Sequence, residues 1–322
     1  MRRLLFVKTS SLGDVVHNCP AVSDAARAWP DAAIDWVVEE AFADVAAMHA
    51  RVTRVIPVAV RRWRGALWSA RTWREIGTFR RALREERYDR IVDTQGLLKS
   101  ALLARVARGE RHGMDAASVR EPLAARFYDV RHAVHKAQHA VERNRQLAAA
   151  ALGTPLAGPC EYGLHAEGAP PLDLPAPYAA LLTMTSRADK LWPEEQWIEL
   201  GRRLSAQGVR AVLPWGSDEE KARAERIAAS VTGALVPRRM RVAELARVLR
   251  GAMGVAGVDT GLTHLAAALG VPAVGVYTST QARLTGLHAG ARVRNLERTD
   301  ARAVHAALAD AAAERPPLAD LA

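Results

Sequence analysis

Leu4-Leu5-Phe6-Val7-Lys8-Thr9-Ser10-Ser11-Leu12-Gly13-Asp14-Val15-Val16-His17 passes from a short apolar run, through a small hydroxyl-rich loop, into a helical pattern. A strand at 4–7, a loop, and a helix over about 15–29 are predicted. The same alternation repeats outward. Strands are expected at 34–38, 52–58 and 90–93, with a helix running through Arg84 and another over about 137–152. After a Gly- and Pro-rich stretch at 153–177, a second series begins. It reads as strands at 178–184, 209–214, 254–258 and 273–277, interleaved with helices at 194–207, 218–230, 242–251 and 261–269. An alanine-rich helix at about 301–314 ends the series. Short apolar runs alternating with amphipathic helices are the pattern of parallel sheets with crossover helices. The fold class is therefore α/β, with two Rossmann-like, doubly wound domains facing a central cleft, where such folds bind ligands at the carboxyl ends of their strands. No solenoid-period repeat interrupts it.

A chain of 322 residues is comfortable for two domains. It carries 45 Lys plus Arg against 35 Asp plus Glu. The excess is uneven: residues 1–160 hold 26 basic and 17 acidic side chains, and the remainder 19 and 18. One half is thus expected to meet an anionic partner. Residues 51–90 alone hold 12 arginines and four acids, among them Arg61, Arg62 and Arg64; Lys99, Arg120, Arg126 and Arg143 follow. Nucleic acid would suit such a surface, but no helix-turn-helix, RNA-recognition or zinc signature accompanies it. Part of the set, notably Arg80, Arg81, Arg84 and Arg87, also reads as a solvated helix face. The two cysteines, Cys19 and Cys160, exclude a disulfide framework, and no metal-ligand spacing is present. The N-terminal apolar run is too short for a signal peptide, and no run approaches the ~20 residues that cross a bilayer.

Three strand-end loops could carry chemistry. In the first, Asp14 stands where it either caps the helix behind the loop or faces the cleft. The lone Gly13 makes neither a phosphate loop of the Walker kind nor a dinucleotide fingerprint, which also weighs against a nicotinamide enzyme. In the second, Val258-Asp259-Thr260-Gly261-Leu262-Thr263-His264 opens a helix whose free N–H groups suit a phosphate; a capped helix with a solvated histidine is the plainer reading. In the third, Thr185, Ser186 and Lys190 follow a strand, and Pro193 opens a helix. A lysine there could neutralise a departing diphosphate, although lone lysines are usually just solvated.

Together these segments resemble the inverting glycosyltransferase family 9, of GT-B fold, over almost the whole chain. The carriers are KTSSLGDVVH at 8–17, DWVVEEAFA at 35–43, RVIPVAVRRWR at 54–64, DTQGLLKSAL at 93–102, REPLAARFY at 120–128 and QHAVERNR at 138–145. In the second half they are DKLWPEEQW at 189–197, LPWGS at 213–217 and VDTGLTHLAAAL at 258–269. VDTGLTHL marks the wider family; VIPVAVRRWR with DWVVEE marks the branch that adds the first heptose of lipopolysaccharide. The rival within the family adds a later heptose.

The resemblance implies transfer of L-glycero-D-manno-heptose from ADP-L-glycero-D-manno-heptose to the Kdo region of Kdo-lipid A. It implies an acceptor-binding domain at 1–160, a linker at 161–177, a donor-binding domain at 178–300, and a helix at 301–322 packing back on the N-terminal domain. Asp14 matches the general base and Lys190 the lysine on the departing diphosphate, with Thr185 and Ser186 beside it; Ser186 stands where threonine is more frequent. Asp259, Thr260, Gly261 and His264 match the donor loop, and Glu220 and Met240 the positions holding ribose and adenine. Arg61, Arg62, Arg64, Lys99 and Arg120 fall in the half expected to bind the anionic acceptor. No cofactor is expected beyond the co-substrate, a stimulation by Mg2+ being left open. The expected location is the cytoplasm, peripheral to the inner membrane's cytoplasmic face, with no nucleic-acid partner.

Overall fold

The computed structural model describes residues 1–174 and 176–314. The chain divides into two compact units, Met1–His165 and Ala166–Ala322, so the division falls inside the Gly- and Pro-rich stretch. Pro175 of the expected linker and residues 315–322 of the expected last helix lie outside the described residues.

The first unit is built as β1 (Arg3–Val7), α1 (Leu12–Val16), α2 (Cys19–Ala28), β2 (Ala33–Glu39), α3 (Ala43–Ala47), β3 (Arg54–Val58), α4 (Val60–Arg64), α5 (Ala70–Glu85), β4 (Arg87–Asp93), α6 (Leu98–Val106), β5 (Arg108–Met114), β6 (Val130–His132) and α7 (Ala140–Leu152). Its six parallel strands lie in the order β3-β2-β1-β4-β5-β6. Central strands of a parallel sheet are covered on both faces, which is why β1 and β2 read as apolar runs without alternation. Phe6 pairs with Trp36, and Val7 lies between Val37 and Asp93. The order reverses at β1 and β4, so the loops leaving these two strands are neighbours at the carboxyl edge.

The second unit comprises β7 (Tyr178–Leu182), α8 (Glu194–Ala206), β8 (Arg210–Val212), α9 (Asp218–Ala229), α10 (Val242–Gly251), β9 (Gly254–Val258), α11 (Gly261–Ala268), β10 (Ala273–Tyr277), α12 (Ala282–Thr285), β11 (Val293–Glu297) and α13 (Ala301–Ala313). Its parallel sheet has the order β11-β10-β9-β7-β8, and here the reversal lies between β7 and β9. Gly257 sits on β9 against α11. A Cβ there would come within 2.1 Å of Thr263 Oγ1, so only glycine lets this helix approach the strand so closely.

One expectation is corrected. The helix expected over 15–29 is two helices, α1 and α2, because Pro20 lies in the first turn of a new helix and could neither donate to nor clear the turn before it. The last helix, α13, falls within the second unit. Ala301, Val304 and Leu308 are buried with Trp197, Leu200, Val274 and Val276 in the second unit's own core, which uses up the apolar face of α13. Strands β5, β6 and β11 had no apolar run to announce them. β6 and β11 are the edges of their sheets, and the first half of β5 stays largely exposed, so Arg108-Gly109-Glu110-Arg111 can form a strand without being apolar.

Candidate active site

In the first unit, the loop from Lys8 to Ser11 is held by the loop that leaves β4. Lys8 is buried, and its Nζ donates to Thr94 O at 2.8 Å and Asn144 Oδ1 at 3.5 Å. Gln95 Oε1 accepts from the backbone N–H groups of Thr9 at 2.9 Å and Ser10 at 3.0 Å. Gln95 is in turn fixed by Asp93, whose carboxylate accepts from Gln95 N, Gly96 N, Ser100 Oγ and Tyr128 OH. Burial pushes the Asp93 carboxyl up, against the pull of those four hydrogen bonds. Burial likewise pushes the Lys8 ammonium down, opposed by the charges of Asp14 and Asp93 and reinforced by Arg143 and Arg120.

Asp14 is the third residue of α1. Its Oδ2 accepts from Ser11 N at 2.8 Å and Ser11 Oγ at 3.3 Å, satisfying one of the donors that every helix start leaves over. The capping role and a chemical one are thus compatible: Oδ2 is engaged, while Oδ1 has no hydrogen-bond partner among the described residues. Lys99, on α6, donates from Nζ to Ser10 Oγ at 3.1 Å, which places a second cation on this loop.

In the second unit, the reversal between β7 and β9 brings together residues far apart in sequence. Lys190 Nζ donates to Asp259 Oδ2 at 2.7 Å, and Thr280 Oγ1 donates to the same oxygen at 2.8 Å. His264 Nε2 lies 3.4 Å from Asp259 Oδ1, and Thr185 Oγ1 donates to Asp259 O at 3.1 Å. Burial alone would raise the Asp259 carboxyl; the bonds from His264, Lys190 and Thr280 outweigh it and hold it well below the usual carboxylate range. Thr260 is the N-cap of α11 and makes no side-chain cap bond, so the first N–H groups of that helix are open to an anion beside Lys190. A fixed cation next to a helix start is an arrangement that stabilises a phosphate group carrying developing charge.

Residues 76–305 match glycosyltransferase family 9 (heptosyltransferase). Lipopolysaccharide heptosyltransferase 1 of Pseudomonas aeruginosa is 48% identical over 293 residues, covering 90% of this chain and 82% of that protein. Among solved structures, E. coli heptosyltransferase WaaC with ADP is 44% identical and superposes with a TM-score of 0.89, covering 96% of this chain and 99% of that one. WaaC with ADP-2-deoxy-2-fluoro heptose gives 46% identity and 0.80, over 91% and 92%. The chain belongs to glycosyltransferase family 9. It is a heptosyltransferase of GT-B fold.

Within this heptosyltransferase, Lys190, Asp259, His264 and Thr185 form one bonded cluster, and Lys99 joins the Asp14 loop. Ser186 is exposed on the same loop as Thr185. Glu220 lies in the first turn of α9, where its Oε2 accepts from Gly216 N at 2.6 Å, and Met240 is buried ahead of α10. Arg61, Arg62 and Arg64 all lie on α4, yet they differ in what they touch. Arg62 bridges Glu40 at 3.0 Å and Glu75 at 2.7 Å, Arg61 lies over the Phe42 ring at 5.7 Å, and Arg64 is exposed. Arg120 is exposed and close enough for its charge to act on Lys8.

Two participants escaped the sequence reading. Thr280 follows β10 in the run Thr278-Ser279-Thr280, a hydroxyl-rich strand-end loop like the one at 9–11, so the same signal would have found it. Gln95 carried no such signal, because its importance lies in accepting two backbone N–H groups from a loop 85 and 86 residues away.

Proposed function

We propose that this heptosyltransferase moves L-glycero-D-manno-heptose from ADP-heptose to a Kdo hydroxyl of Kdo-lipid A, inverting the anomeric centre. The observation carrying the donor side is the Lys190–Asp259–Thr280 cluster beside the open start of α11. It is supported by relatives of 44% and 46% identity solved with ADP and with a fluorinated ADP-heptose.

In this reading Lys190 and the N–H groups after Thr260 and Gly261 neutralise the diphosphate as its bond to the sugar breaks. Asp259 holds Lys190 in place, with Thr185, Ser186 and His264 around the donor, and Glu220 and Met240 take the ribose and adenine. Asp14 removes the proton from the attacking Kdo hydroxyl, a contribution of roughly 10²–10⁴-fold for a positioned base. A single displacement on the face opposite the leaving group gives inversion. Arg61, Arg62, Arg64, Lys99 and Arg120 meet the phosphates and carboxylates of the acceptor, whose paired oxygens suit the planar guanidinium fork of the arginines. No cofactor is required. The enzyme works at the cytoplasmic face of the inner membrane as a peripheral protein; no helix among the described residues is long and apolar enough to cross a bilayer.

The test is a transfer assay with ADP-heptose and a panel of truncated lipopolysaccharide acceptors. Product on Kdo-lipid A supports the reading. Transfer only to acceptors already carrying heptose overturns the acceptor, and transfer from no ADP-heptose at all overturns the donor.

A further inference from the structure

Over residues 67–84, and at Leu102 and Arg105 of α6, the first unit carries a surface made of residues other than those assigned to donor and acceptor. Large apolar side chains stand in solvent there: Leu67 at 49% of full exposure, Trp68 at 102%, Trp73 at 60% and Leu102 at 48%. Single exposed apolar residues are ordinary on a protein surface; two tryptophans and a leucine within seven residues are not. They are not carried on slack chain either. Trp73 Nε1 donates to Leu67 O at 2.8 Å, which ties the loop tip to the first turn of α5.

The surroundings are cationic. On α5, Thr72, Phe79 and Leu83 are buried, and helical spacing puts Trp73, Arg80 and Arg84 together along one flank with Arg81 farther round, all four exposed. Arg80 and Arg84 line one depression with Leu102, Arg105 and Arg108, so α5 and α6 share this surface. Residues 60–84 contain eight arginines and one acid, Glu75. That carboxylate is already bonded to Arg62, Arg71 and Trp63 Nε1. Arg74, Arg80, Arg81 and Arg84 have no acidic partner among the described residues. Gathering unpaired cations costs self-repulsion, and exposing indoles costs hydrophobic free energy, so neither serves the fold of the unit itself.

One kind of partner answers both features. Indole rings settle at the headgroup level of a bilayer, and arginines beside them pair with anionic lipid phosphates. A polynucleotide would satisfy the arginines and stack on the indoles, but it offers nothing to the aliphatic Leu67 and Leu102. We propose that the face formed by residues 67–84 and the exposed side of α6 docks the enzyme on an anionic phospholipid bilayer. Leu67, Trp68 and Trp73 enter the headgroup layer, and Arg80, Arg81, Arg84 and Arg105 lie along it. This rests on the reading of the acceptor as a membrane-held lipid and assigns where that membrane meets the chain.

The experiment uses the full chain in flotation with vesicles of phosphatidylcholine alone or mixed with phosphatidylglycerol. The variants are Trp68→Ser with Trp73→Ser, and Arg80→Gln with Arg84→Gln; heptose transfer to a deacylated, water-soluble acceptor is measured alongside. Binding to the anionic vesicles, weakened about tenfold or more in either double variant, is the expected result. Tryptophan emission should shift to the blue on vesicle binding, and turnover on the soluble acceptor should stay that of the parent in both variants. Undiminished vesicle binding in both double variants overturns the proposal, as does parental binding to the anionic vesicles no stronger than to phosphatidylcholine alone. Failure of the functional reading would show differently, as absence of transfer to every acceptor whatever the vesicles do.

Discussion

Lys190 and Asp259 are 69 residues apart in the chain, yet Nζ and Oδ2 lie 2.7 Å apart, because β7 and β9 are neighbours and each residue stands in the loop that leaves its strand. The carboxylate fixes the ammonium in place before any donor arrives, which spares the cost of ordering a long side chain during reaction. Replacing Lys190 by alanine should lower kcat about 10²–10³-fold, as loss of a single charge-stabilising donor does elsewhere. Steady-state kinetics with ADP-heptose check this. A change confined to KM would mean that the lysine binds the diphosphate equally before and during bond breaking.

Asp14 does two jobs that one pair of variants separates. Asp14→Ala removes both the helix-start hydrogen bonds and the proposed base, so stability should fall by about 0.5–2 kcal/mol and turnover by about 10²–10⁴-fold. Asp14→Asn keeps an acceptor oxygen for Ser11 N but is no base; it should restore most of the stability and none of the rate. Near-parental turnover in either folded variant ends the assignment of Asp14 as the base.

Gly257 is the contact point of β9 and α11. In Gly257→Ala the new methyl would stand 2.1 Å from Thr263 Oγ1 and 3.0 Å from Leu182 Cβ, so strand and helix must separate. A loss of about 1–3 kcal/mol in denaturant unfolding is expected for such overpacking. Because α11 starts beside Asp259, the donor KM should rise as well.

His49 makes the first unit sensitive to acid. Its ring is buried, Nε2 lies 3.2 Å from Cys19 O, and Nδ1 accepts from Arg51 N at 3.1 Å. Burial pushes its pKa from 6.5 down to about 4, with His165 and Arg51 adding to the shift against the bond to Cys19 O. The folded state therefore prefers neutral imidazole. The associated stability is whole above pH 6.5 and is lost as pH falls from there to about 4, to a total of about 3 kcal/mol. Urea midpoints measured across that window should fall in the parent and lose most of their slope in His49→Asn.

Turnover in the presence of EDTA should stay within a few fold of that with Mg2+, since Lys190 and the start of α11 supply the positive charge that a metal would otherwise bring. Abolition by EDTA, reversed by Mg2+, would show that the protein's own groups are insufficient.

Much of this was legible in the chain before folding. Leu4–Val7, the runs at 254–258 and 273–277, and the Gly- and Pro-rich stretch are local signals: an apolar run excludes water wherever the sheet is doubly covered, and proline is not accepted in a helix beyond its first turn. The polar turns at 8–14, 185–190 and 259–264 stood out for the same short-range reason, as small and charged residues placed directly after such runs. Charge imbalance between the halves was likewise a matter of counting.

Which of those turns would meet was decided only by the sheets. Strand order puts Gln95 under Thr9 and Ser10, Asn144 beside Lys8, and Thr280 with Lys190 on one carboxylate oxygen. Such pairings join segments tens of residues apart, and the free energy that selects them comes from whole buried faces packing at once, so no window of sequence contains it. The same holds for β11, an edge strand whose own residues are mostly polar or half-exposed, and for α13, whose apolar residues find their place only in the assembled core of the second unit.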